Sequence, residues 1–362
     1  MLTTKATLRF ENLRTSCYFP IGPEFPKPGK MYADEDNKIF TFDNSTVAVP
    51  CDRKLYYSRE LNLKKKIEKT STYFGTAIHK FCEAFWMGED HFSCIQTFRK
   101  HATAANSPIL DDPDSDEQRT VQRGIDVCKM YIKRYDADRM VTKIIHLNGE
   151  PLVEVGFSFI LGVDEDGWTY IYCGRIDRVE EHRGVIRVVD TKTTTRFGAT
   201  YWKRLRPNAA ITGYVAGLRE LTGIVTKHAA LDVIYIGEPR KRDEKTGNYR
   251  LPKAVKEAGQ EAIDDWVANI QCEHGPTQRT GGDISQWWRN TILKGIRLRK
   301  LFQQKDIAEW VMEEEHCTAY GECDFRDICI LEANQEPVIQ SLYEVKPWRP
   351  FELEEVVHVE AA

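Results

Sequence analysis

The stretch TYIYCGRIDRVEEHRGVIRVVDTK (169–192) decides the fold of this chain. TYIYCGRID (169–177) and VIRVVDTK (185–192) are rich in β-branched and aromatic residues, and Gly184 in the intervening EEHRG supplies a turn signal. The pattern predicts an antiparallel hairpin. Period two puts Asp190 and Lys192 on one face of its second strand. If the chain reverses through His182, Arg183 and Gly184, Asp177 stands about opposite Asp190, and such residues have Cβ atoms roughly 5 Å apart. Carboxylates that close repel each other, and a divalent cation between them removes the penalty and favours both ionised forms. Mg²⁺ and Mn²⁺ are hard ions that take oxygen ligands, so they suit the pair. Lys192 is then placed to position an attacking water and to stabilise charge on a phosphate oxygen. A lone D-x-K triplet occurs often by chance. Here Val188 and Val189 precede the charges, which arrive where a buried strand emerges.

Working outward, LVEVGFSFIL (152–161) alternates Val153, Val155, Phe157 and Phe159 with Glu154, Gly156 and Ser158, as a half-buried strand does. Glu154 lies on its polar face, where it could offer an oxygen to a metal or to one of the metal's ligands; an exposed strand glutamate is the plain alternative. FGTAIHKFCEAFW (74–86) predicts an amphipathic helix opening at Gly75, with Ile78, Phe81, Cys82 and Phe85 on its buried stripe. An acidic loop at 107–116 precedes a helix from about 117 to 138. After the hairpin come a helix at 208–221, a strand at 228–237, an exposed charged loop at 238–250, and helical stretches at roughly 253–271 and 284–315. This order predicts an α/β fold, a central mixed sheet flanked by helices. The expected divisions are an N-terminal extension at 1–50, of weak period and read as short strands and turns that pack as an arm, a main domain at 51–335, and a C-terminal tail at 336–362.

The chain has 362 residues, 41% apolar and 29% charged, the balance of an ordinary globular protein. Its net charge of -4 argues against wholesale polybasic binding but leaves room for a local basic groove. No apolar run is long enough to cross a bilayer, and the N-terminus lacks an apolar leader core, so a cytoplasmic location without membrane partners is expected. In that compartment ten cysteines point to metal ligation or burial rather than disulfides.

Three segments carry a family resemblance. GRIDR (174–178), VVDTKTT (188–194) and FGTAIHKFCEAF (74–85) resemble, in order, the motifs of RecB-like PD-(D/E)XK nucleases. The resemblance implies that fold, a catalytic set of Asp177, Asp190 and Lys192, and a metal site in which His79 joins Asp177 and Asp190 around Mg²⁺ or Mn²⁺. That family commonly carries a glutamine four residues before a tyrosine on the next helix, to contact DNA. Tyr214 is present here, but Ala210 stands in the glutamine's place, with Asn208 or Arg206 as substitutes.

HCTAYGECDFRDIC (316–329) sets Cys317, Cys323 and Cys329 at equal spacings wider than the tight pairs of structural zinc sites. With Cys51 in CDRKLYY as a fourth ligand, the set resembles the iron–sulfur branch of the same family, which includes the AddB nuclease domain, CRISPR-associated adaptation nucleases and phage exonucleases. That implies a 4Fe–4S cluster joining the N- and C-terminal parts of the chain. Cys17 is the rival fourth ligand, whereas Cys82, Cys94, Cys128 and Cys173 read as buried small hydrophobes.

Arg53, Lys54, Tyr56, Tyr57, Arg59 and Lys64 to Lys66 interleave cations with aromatics, as single-strand binders do. Arg196, Lys203, Arg204 and Arg206 follow the catalytic strand and could line the same channel, while Arg297, Arg299 and Lys300 read as solvated. The expected function is a metal-dependent deoxyribonuclease, preferring exonuclease action on single-stranded DNA or DNA ends, in recombination, repair or replication. It would act in a bacterial or phage-infected cell, alongside a helicase or recombination partner. The alternative is a non-catalytic DNA-binding or complex-assembly protein that keeps the fold.

Overall fold

The computed structural model describes residues 33–34, 37–111, 117–198, 200–243, 245–304, 306–318, 322–331 and 335–346. Strands β1 (Ala33–Asp34) and β2 (Ile39–Asp43) lead into short helices α1 (Asn44–Val47) and α2 (Asp52–Leu55), then β3 (Leu63–Lys65). Three longer helices follow, α3 (Thr70–Trp86), α4 (His91–Ala102) and α5 (Val121–Val141). Asp90 starts α4 by accepting from the Ser93 N–H, and Thr120 starts α5 by accepting from that of Arg123. After β4 (Thr142–Ile144) and a small hairpin of β5 (His146–Leu147) and β6 (Glu150–Pro151) come the long strands β7 (Val153–Val163), β8 (Thr169–His182) and β9 (Val185–Thr194). Arg183 and Gly184 both take positive φ in the turn between the last two, as a tight hairpin requires. Helix α6 (Ala209–Thr222) runs from an Asn208 cap to Gly223 in the left-handed conformation. Then follow β10 (His228–Ile236), α7 (Lys253–Glu257), α8 (Gln260–Ala268), β11 (Ile270–Gln278) and α9 (Gly281–Phe302), opened by a Thr280–Asp283 capping box. Helices α10 (Arg326–Cys329) and α11 (Glu336–Leu342) and strand β12 (Tyr343–Val345) complete the described chain.

The main sheet is mixed and follows the order β1-β2-β8-β9-β10-β11, with β4 and β7 also paired to β8. Strand β8 carries β7 and then β4 along one edge, and β2 and then β9 along the other. Between Cys173, the last partner of β2, and Arg178, the first partner of β9, the second edge forks. Asp177 lies in that fork.

Alternation along β10 divides the core into two layers. Ala229, Leu231 and Val233 pack with α6 and α9, whereas Ile234 and Ile236 pack with α3, α4 and α5. Helix α6 sits close on the sheet because Gly217 and Gly174 flank the Phe157 ring; a Cβ at either would meet that ring at 2.7 Å. The α/β class, the mixed sheet and the flanking helices therefore agree with the sequence pattern.

Local boundaries differ in informative ways. The helix expected to open at Gly75 begins at Thr70, and the helical stretch expected to reach 271 ends at Ala268. Strand β11 was not anticipated, because its IQCEHGPTQ is an edge strand that faces water with polar residues and tolerates Pro276. The stretch expected as helix at 284–315 is α9 only to Phe302, after which the chain makes short turns. Arg299 is a correction: it is 4% exposed, with Nε donating to the Tyr170 hydroxyl and a second nitrogen to Asp166. Part of the expected N-terminal extension, β2, is a strand of the main sheet, and Tyr343–Val345 of the expected tail pairs with β3. Residues 1–32, including Cys17, lie outside the described residues. Among the described residues no helix is long and apolar enough to cross a membrane.

Candidate active site

The β8–β9 ladder ends at Arg178 opposite Val189, so the next positions are Asp177 and Asp190, the opposed pair the hairpin register implied. Past that point the strands part, and Asp177 Oδ2 accepts from the Thr191 N–H at 2.6 Å. On the other edge, pairing steps from Val153–Arg178 to Val155–Ile176 and leaves out Glu154. Glu154 has φ +50°, a left-handed conformation that costs a non-glycine residue about 1–3 kcal/mol. Its carboxylate meets His79, which α3 presents from above the fork.

His79 Nδ1 lies 3.5 Å from Glu154 Oε1 and 3.4 Å from Asp177 Oδ2. Among the described residues this is the one group of three metal-capable side chains whose ligand atoms fall within 4.8 Å of one another. Asp190 stands beside it with Oδ1 accepting from Lys192 Nζ at 2.7 Å. Asp190 is 4% exposed, while half of the Lys192 side chain reaches solvent. Of the ligand set expected from the sequence, His79 and Asp177 converge, with Glu154 as their third neighbour, whereas Asp190 is not part of that group and is hydrogen-bonded to Lys192.

Electrostatics follow from burial. Desolvation raises both Asp177 and Asp190 above the usual carboxylate range, against the opposing pull of His79 and Lys192 on the first and of Lys192 on the second. Burial pulls His79 down, but Asp177 and Glu154 more than offset it, and its pKa is pushed up to about 9. Lys192 is likewise desolvated, yet Asp190 and Asp177 hold it above its ordinary value. In this arrangement one imidazolium and one ammonium face three converging carboxyl groups, one more than they can neutralise if all are ionised. Two carboxylates and an imidazole at that separation also fit a hard divalent cation, which would replace the proton on His79.

A family profile described as the PD-(D/E)XK nuclease superfamily matches residues 46–330. The chain belongs to the PD-(D/E)XK nuclease superfamily. No curated protein matches it. Two solved structures are similar at 12% identity: that of SSO0001, covering 83% of this chain and 90% of the other at TM-score 0.30, and that of a candidate exonuclease from Eubacterium rectale, covering 86% and 96% at TM-score 0.42.

Within this PD-(D/E)XK nuclease the remaining expected positions fall in different places. Tyr214 on α6 packs edge-on to Phe157 and is close enough to Asp190 and Asp177 for their charge, added to burial, to raise its hydroxyl pKa. Neither substitute for the missing glutamine at Ala210 is idle: Asn208 Oδ1 accepts from the Ile211 N–H, and Arg206 bonds both oxygens of Asp283. Arg196 is exposed just beyond β9. Arg53 and Lys54 lie on α2, where the Arg53 N–H donates to the Val311 carbonyl and its guanidinium reaches Cys329. Tyr57 is a correction. At 1% exposure it stacks on Phe325 and accepts from Gln335, so its ring is already occupied by protein.

The cysteines sort into two groups. Cys82, Cys94, Cys128 and Cys173 are buried free thiols, as expected of small hydrophobes. Cys317 lies within electrostatic reach of Cys323 and Cys51, and Cys329 within reach of Cys51 and Cys317. The Cys323 N–H donates to the Cys317 carbonyl at 2.8 Å. This wider gathering of thiols, with Arg53 beside Cys329, is compatible with a polynuclear group bound by thiolates.

Sequence reasoning missed a buried ionic network beneath the site. Arg178 Nε donates to Glu180 and its terminal nitrogen to Asp232, while His274 Nδ1 lies 2.6 Å from Asp232. The available signal was Asp232 itself, a charge inside the apolar run of β10.

Proposed function

We propose that this protein is a Mg²⁺- or Mn²⁺-dependent deoxyribonuclease that acts as an exonuclease on single-stranded DNA or DNA ends. The observation that carries it is the convergence of His79, Glu154 and Asp177, from three separate elements, beside the Asp190–Lys192 pair. His79, Glu154 and Asp177 would hold the ion, with Asp190 completing the set on the side of Lys192. When bound, the ion would supply an acidified water and neutralise charge on the scissile phosphate. The chain's own groups do the rest. Asp190 fixes Lys192 Nζ, the half-exposed ammonium can donate to a phosphate oxygen or orient the water, and Tyr214 walls the site on the α6 side. We further propose that Cys51, Cys317, Cys323 and Cys329 hold a 4Fe–4S cluster of structural role, in line with the RecB-like iron–sulfur branch. A helicase or recombination partner fits an enzyme that works at DNA ends.

The substitution at Ala210 favours one second reading, a DNA-binding or assembly protein that retains the fold without cutting. A buried Asp190 tied to a half-exposed Lys192 is an expensive feature for an idle scaffold. Assays with end-labelled and circular DNA in Mn²⁺ decide between them. Mononucleotides and short oligomers released from ends, with Asp190→Ala lowering the rate by about 10²–10³-fold or more, are expected. If protein holding its metals cuts nothing, or Asp190→Ala behaves as wild type, the enzyme reading fails.

A further inference from the structure

Beyond β9 the chain runs through an aromatic segment to which the site described above assigns no role. We propose that Phe197, Tyr201 and Trp202 form a platform on which the bases of a single strand stack as its phosphates approach Asp190 and Lys192. The proposal rests on the nuclease reading and narrows its substrate to unpaired strands.

The placement follows from register. Asp190 pairs with Leu231, and Leu231 pairs with Gly275, so these residues form one row across β9, β10 and β11. Residues so paired share a face, and strands are spaced about 4.8 Å apart, which puts Gly275 about 10 Å from Asp190. Trp202 lies over Gly275: a Cβ there would meet its ring at 2.1 Å. The tryptophan therefore covers the same face of the sheet as the Asp190 side chain. Phe197 joins it at 5.5 Å and is braced by Tyr235, the β10 partner of Thr194. Tyr201 completes the group at 5.4 Å from Phe197 and lies near enough to Lys192 and Asp190 to feel their charges. A span of about 10 Å is roughly three stacked nucleotides.

The surroundings fit a nucleic acid strand. Phe197, Tyr201 and Trp202 are all half-buried, so each keeps some surface exposed to solvent. Arg196, Lys203 and Arg204 are exposed along the same segment, and the Arg204 guanidinium lies 5.7 Å from the Tyr201 ring centroid. Cations that follow phosphates beside rings that accept any base are the arrangement of a sequence-tolerant single-strand groove. Base-paired DNA keeps its faces stacked within the duplex and cannot use such a platform without opening.

Binding of fluorescein-labelled oligothymidylate, and of an abasic phosphate chain of equal length, is measured by anisotropy with Ca²⁺ in place of Mg²⁺. Wild type should bind the oligothymidylate about tenfold or more tighter than the abasic chain. Tyr201→Ala should erase most of that preference and Tyr201→Phe should keep it, with Mn²⁺ affinity unaltered in both. Gly275→Ala, which pushes Trp202 off the sheet, should also reduce it. Equal wild-type affinity for the two chains overturns the platform whatever the variants do, as does a full preference retained by Tyr201→Ala. Failure of the nuclease reading is seen separately, as wild type that prefers bases but cuts no DNA in Mn²⁺.

Discussion

His79 shows how a single residue can change partners with conditions. Without metal its pKa is pushed up to about 9 by Asp177 and Glu154, against an ordinary value near 6.5. Its contribution to stability is therefore fully present below about pH 6.5 and is lost as pH rises through about 9. Chelated protein should melt at progressively lower temperature across that window, and His79→Gln should flatten the slope. Mn²⁺ reverses the sign, because it must displace the proton: its affinity should rise about tenfold per pH unit up to about 9. Thermal melts with EDTA and with Mn²⁺ check both; identical slopes in wild type and His79→Gln would count against a protonated His79. The motif resemblance pointed to this histidine, and hairpin register pointed to Asp177 and Asp190. Glu154 was legible only as a polar-face residue, since nothing in LVEV predicts a positive φ.

At the scale of elements, β8 serves two structures at once. Asp177 goes to the fork, and its neighbour Arg178 goes into a network with Glu180 and Asp232, each of these charges 2% exposed or less. The network ties β8 to β10 and, through His274, to β11, so it fixes the strands on which the site depends. Burial opposes ionisation of Asp232, but Arg178 and His274 hold its carboxyl well below the usual range. Its contribution is present above about pH 4 and is lost as pH falls through the depressed value. Asp232→Ala, which leaves Arg178 with Glu180 alone and removes the partner of His274, should cost about 3–5 kcal/mol in urea denaturation. Replacing both charges, as Arg178→Met with Asp232→Leu, should cost much less than the sum of the single changes. Additive losses would mean the pair is not coupled.

Across the whole molecule, the segment 52–69 is clasped to the C-terminal part of the described chain. Strands β3 and β12 pair, Tyr57, Phe325 and Tyr343 stack in succession, and Arg297 bonds both oxygens of Asp52. Lys65 and Lys69 add ion pairs to Asp327 and Asp324. Since this clasp has its own small core, removal of a cluster should loosen the protein without unfolding it. Anaerobically purified protein is expected to be brown and to contain iron. Cys323→Ala should lose the colour and melt about 5–10 °C lower, as on loss of a staple worth about 2–4 kcal/mol, while Cys94→Ala keeps its iron. Stoichiometric zinc without iron in wild type would sink the cluster assignment.

Period and turn chemistry determined the hairpin, its register, the helix carrying His79 and the α/β class, because those properties depend on neighbours close in the chain. The apolar β10 was equally plain. Tertiary structure alone decided what depends on distant partners. It drew Glu154 to His79 through a strained backbone, buried Arg299 and Tyr57, and used the polar edge strand β11 to complete the sheet. It also laid Trp202 on Gly275, 73 positions away, where register across three strands rather than spacing along one sets the distance to Asp190.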